Sequence, residues 1–130
     1  MISTSGRTRL PLHGILIADA MTCAVFGLLM LVAANPLAEL TQFPVNLLRL
    51  TGWVLIPWVV FLVIQIRRPL VPSGAVFGII TVNTAWALGC MVAITAPHFA
   101  PNTYGVIFGL IQIIGVLAFA ILQYASRNEQ

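Results

Sequence analysis

The sequence predicts an all-α polytopic membrane protein: a four-transmembrane-helix up-down-up-down bundle in a single domain of residues 1–130. Three observations carry this. The chain is 60% hydrophobic and 7% charged, with mean hydropathy +1.04. Four apolar runs reach the roughly 20 residues that a helix needs to cross about 30 Å of hydrocarbon. All six basic residues are arginines, and five of them flank those runs on one side only. Composition of this kind excludes a soluble domain. With no basic patch interleaved with aromatics, the +3 net charge reads as a topology signal and gives no reason to expect nucleic acid.

The first run, over residues 13–34, follows Pro11, which is tolerated at a helix start because its missing N–H would be unpaired there. It carries Asp19, a single acid in twenty residues. Arg7 and Arg9 before an apolar stretch imitate a signal peptide. The stretch exceeds the 7–15 residues usual for a signal core, so a retained helix is expected. Asn35-Pro36 ends the run, and residues 35–44 form a connection with Glu39 and no basic residue.

The second run covers residues 45–66, with Arg49 near its start and Pro57 near its middle; a kink near Trp53 is expected. Arg67-Arg68-Pro69 stops it, and Pro72-Ser73-Gly74 turns into the third run, residues 74–95. Pro97 and Pro101 bracket a loop with His98, and the fourth run covers residues 103–125. Short loops make neighbouring helices antiparallel. Arg7, Arg9, Arg67, Arg68 and Arg127 fall on one side, which places both termini in the cytoplasm by the positive-inside rule. The expected location is a bacterial inner membrane.

An acid near the bilayer centre is expensive, about 2.5–3.5 kcal/mol on insertion scales, so Asp19 should be covered by other helices. If each helix midpoint marks the bilayer centre, a rise of 1.5 Å per residue places Asp19 about 7 Å to the inside, Asn83 about 2 Å inside and Gln112 about 2 Å outside. Thr22 and Cys23 share the face of Asp19, and Trp86 and Cys90 share that of Asn83. The expected polar core is therefore Asp19, Thr22, Asn83, Trp86 and Gln112. Arg49 lies about 17 Å from Asp19 along the normal, so it should serve headgroups or Glu39. Gln123 and Tyr124 fall at the inner end of the fourth helix. Among i, i+4 pairs of small residues, Gly105/Gly109 is the one marked for testing as a subunit contact. Two weak parallels, Asp19 with Asn83 and residues 65–67 with residues 123–127, hint at a repeat of helix pairs.

The polar set is either interhelical glue or a ligand, proton or ion site. No catalytic constellation stands out. His13 and His98 are at opposite faces, and no His/Cys/Asp/Glu cluster has metal spacing, so no cofactor and no metal are expected.

The stretches DAMTCAVFGLLML (19–31), LLRLTGWVLIPW (47–58), VNTAWALG (82–89) and GLIQIIGVLAFAILQY (109–124) resemble a group of small four-helix bacterial inner-membrane proteins, with a more remote similarity to DoxX-like proteins. The resemblance implies the same architecture, a polar set at Asp19, Arg49, Asn83 and Gln112, and no reaction. Three functions follow as expectations. The first is a non-enzymatic integral protein, an oligomeric or accessory subunit whose company is the lipid bilayer, copies of itself or a membrane-protein partner. The second is a small transporter or ligand-binding bundle with Asp19 as its proton- or cation-responsive group. The third is a membrane enzyme acting on a lipid or quinone.

Overall fold

The computed structural model describes residues 12–128, all helices and turns. Five helices follow in order: α1 (Leu12–Val32), α2 (Ala34–Thr41), α3 (Val45–Arg67), α4 (Ser73–Thr95) and α5 (Thr103–Ala125). All but α2 are long and apolar enough to cross a membrane. Arg7, Arg9 and Pro11 lie outside the described residues.

The sequence reading assigned residues 35–44 to a connection, and here it is corrected. Asn35-Pro36 does not simply end a helix; it opens α2. Pro36 has no N–H to give the carbonyl four residues back, at Val32, so α1 cannot continue through it. The same residue is harmless in the first turn of a new helix. The chain therefore bends at Ala33, whose N–H closes α1 on Leu29 (2.9 Å) and whose carbonyl receives Leu37 N–H (2.9 Å). α2 ends at Gln42, in the left-handed region at φ 64°, with its amide on Ala38 O and its side-chain amide on Glu39 O, each 2.8 Å. α3 runs unbroken through Pro57.

The long helices associate as two pairs, α1 along α3 and α4 along α5. Glycines set the first crossing. A Cβ on Gly52 would lie 2.8 Å from Leu31 Cγ and 3.0 Å from Gly27 O, so the backbones meet where neither residue carries a side chain. The pairs join through lighter packing of α1 on α5, including an edge-to-face contact of Phe26 with Phe108 at 5.7 Å, and through α2, which touches α1, α3 and α5. α3 and α4, although consecutive, do not pack along one another.

Each end of the bundle is tied by one polar residue. At the arginine end, the His13 ring N–H donates to Arg68 O at 2.7 Å. At the other end, Asn102 binds α2 twice, by its backbone N–H to Thr41 O (3.0 Å) and by its side-chain amide to Leu40 O (2.8 Å). Its side-chain oxygen caps α5 by accepting from Gly105 N–H at 3.0 Å. Gly105 and Gly109 are thus used within the chain: a Cβ on Gly105 would stand 2.5 Å from Thr41 O, and one on Gly109 would collide with Ile94. The subunit contact entertained for this pair has no free surface to use.

Candidate functional site

Asp19 is fully buried on α1, and its carboxyl group gathers donors from three helices. Asn83 of α4 donates to Oδ2 at 3.0 Å, Gln123 of α5 donates to the same oxygen at 2.7 Å, and Cys23 Sγ, one turn on, lies 3.4 Å from Oδ1. Asn83 Nδ2 also donates to Gln123 Oε1 at 3.0 Å, which closes a ring of Asp19, Asn83 and Gln123. Asn83 and Gln123 are as deeply buried as the acid. The ring fixes the amide orientations, since nitrogen must face an acceptor. It joins α1 to both helices of the other pair at one level. A buried polar group costs free energy unless bonded, so the closed ring holds the two pairs in register.

The other expected members lie elsewhere. Trp86 and Gln112 bond to each other, indole N–H to Oε1 at 3.2 Å, away from the carboxyl group. Thr22 returns its hydroxyl to Ala18 O at 2.8 Å within its own helix. Arg49, expected to serve headgroups or Glu39, is exposed and donates to Asn35 Oδ1 at 3.3 Å.

The residue that sequence reasoning missed is Gln123. Assigning helix midpoints to the bilayer centre put Gln112 in the layer of Asp19. Eleven residues, about 16 Å of helix, separate the two glutamines, and it is Gln123 that meets the acid. The buried face of α5 offered the signal. Gly105, Gly109, Ile113, Ala120 and Gln123 form it, and 105 to 123 is five turns of 3.6 residues. Gln112 is one position off that stripe. Gln65 on α3 is also buried, and its Oε1 has no partner among the described residues.

Between the unpacked α3 and α4 runs a cleft with two cavities. The cavity nearer Asn102 has a volume of about 400 Å³ and is lined by residues including Met30, Leu48, Ala85, Gly89, Phe108 and Gln112. The second, about 420 Å³, lies further toward the arginine end, with Cys23, Pro57, Trp58, Phe61 and Asn83 among its walls. Trp86 and Val82 border both. Among the described residues neither cavity has a charged wall residue, and Asp19 is not one of those that line the cleft. Trp58 stacks on Phe61 at 5.4 Å, giving the second cavity an aromatic floor.

Among the described residues, no group of three or more His, Cys, Asp or Glu is placed to hold a metal ion. No protein-family model, curated protein or solved structure matches this chain.

Proposed function

We propose that this is a bacterial inner-membrane binding protein, with four spans in up-down-up-down order and both termini cytoplasmic, that holds an apolar guest from the bilayer between α3 and α4. The observation that carries this is the cleft itself. Two consecutive helices stand apart over the length from Leu47 to Phe61, about 21 Å at 1.5 Å per residue, with apolar and aromatic walls. Volumes of about 400 Å³ lie in the range of ligand pockets, about 300–1,000 Å³, which combine apolar walls with a few polar groups. The arginine distribution supports the orientation.

The ring around Asp19 supports a structural role for the acid. Its donors come from the protein and it does not face the cleft, whereas a proton- or cation-responsive carboxylate would need a route to one. The ring instead keeps α4 and α5 at a fixed register against α1, which sets the width of the cleft. Binding of this kind requires no bond-making step, so the protein acts as a carrier or accessory subunit.

Gly89→Phe tests the proposal. Gly89 lines the first cavity, and a Cβ there meets no atom within 4 Å, so the backbone accepts a side chain at the cavity wall. Native mass spectrometry of protein reconstituted in bacterial polar lipid should show a retained apolar molecule on the wild type and its loss in Gly89→Phe, with thermal stability unchanged. Wild type that retains nothing, or equal retention by both proteins, would refute the proposal.

A further inference from the structure

Resting on the cleft reading above, we infer that the guest is a neutral long-chain lipid ending in one uncharged oxygen, a hydroxyl or carbonyl, that docks at Gln112. The indole of Trp86 only donates, so Gln112 must turn its carbonyl to Trp86 and its amide nitrogen away. That nitrogen has no partner among the described residues, and Gln112 lines the first cavity. Asn83 is complementary. It donates through Nδ2 to both Asp19 and Gln123, and its carbonyl has no donor among the described residues. Asn83 is 2% exposed and lines the second cavity. The cleft thus presents a spare donor and a spare acceptor to an otherwise apolar space. Leaving such groups against hydrocarbon is unfavourable.

These features select among occupants. A plain acyl chain would fill the space and leave both groups unpaired. A phosphate or ammonium head would find no counter-charge, since none of the described wall residues is charged. An uncharged oxygen on a slender apolar chain meets both conditions at Gln112, where it accepts from the amide nitrogen and needs no counter-charge.

The test compares farnesol with farnesane, the same carbon skeleton without the hydroxyl, on the full chain in nanodiscs. Occupancy is read by native mass spectrometry at equal bilayer concentration. Farnesol should bind roughly tenfold tighter, the upper end of what one net hydrogen bond supplies. Gln112→Leu should erase that preference, and Gln112→Asn should keep part of it. Equal binding of the two probes to wild type overturns the inference while leaving the cleft reading intact. If neither probe binds and no other apolar molecule is retained, the cleft reading itself fails. A farnesol preference that survives Gln112→Leu removes Gln112 as the docking residue. The wild-type comparison decides the matter even if a variant fails to fold.

Discussion

Replacing Gln123 by leucine should destabilise the protein far more than the same change at Gln112. Leucine keeps much of the volume and removes only the amide. At Gln123 it deletes the 2.7 Å bond to Asp19 and the acceptor for Asn83, both fully buried. Hydrogen bonds within membrane bundles average about 0.6 kcal/mol and reach about 1.7. A bond to a carboxyl group in a closed network belongs at the upper end, because the acid keeps one amide donor where it had two. About 2–3 kcal/mol is therefore expected for Gln123→Leu. Gln112→Leu removes one 3.2 Å bond between half-buried groups and should cost about 0.5–1 kcal/mol. Unfolding by added sodium dodecyl sulfate, followed by circular dichroism, reads both. Asn83→Leu should be non-additive with Gln123→Leu, since the two share the ring. Equal costs at Gln123 and Gln112, or simple additivity across the ring, would refute the view that Asp19 is held by Gln123 and Asn83.

Two further outcomes follow from close approaches. Gly105→Ala should lose about 1–3 kcal/mol through overpacking against Thr41 O and Pro101, whereas Gly78→Ala, with nothing within 4 Å of the new atom, should be neutral or gain up to about 1 kcal/mol in helix propensity. Thermal denaturation in detergent separates them. Asn102→Ala removes the cap of α5 and a strut to α2, so about 1–2 kcal/mol should be lost and amide exchange should quicken at Gly105.

The four long helices were legible from residue type alone, because each is a long, nearly uncharged apolar run of the length that crosses hydrocarbon. Asp19 and Asn83 were legible as a pair, since polar groups at that depth must find each other. α2 was not, because Asn35-Pro36 signals a stop and a start equally well. Gln123 was hidden by a rule about depth. Helices are displaced along their axes by packing, and a glutamine at the end of one can reach a carboxyl group on another. Following the small residues Gly105, Gly109 and Ala120 along one face points to Gln123, which shows that packing stripes locate polar partners better than equal depths do. The cleft was not legible at all. It exists because α1 pairs with α3, and α4 with α5, and no local pattern states which faces are left unmatched.

The partners of Asp19 lie 64 and 104 residues further along the chain. In a protein inserted as it is made, the first helix enters the bilayer with its acid before either amide exists. At about 5–20 residues per second, Gln123 follows roughly 5–20 seconds after Asp19. During that interval the hydropathy of Leu12–Val32 must carry the carboxyl group unaided, or α1 must wait beside the insertion machinery until α4 and α5 arrive. Within α1 itself, Cys23, four residues on, places its thiol 3.4 Å from the carboxyl group. Cys23→Ala removes that contact, and pulse-labelling should show slower membrane insertion with little loss of stability in the finished bundle.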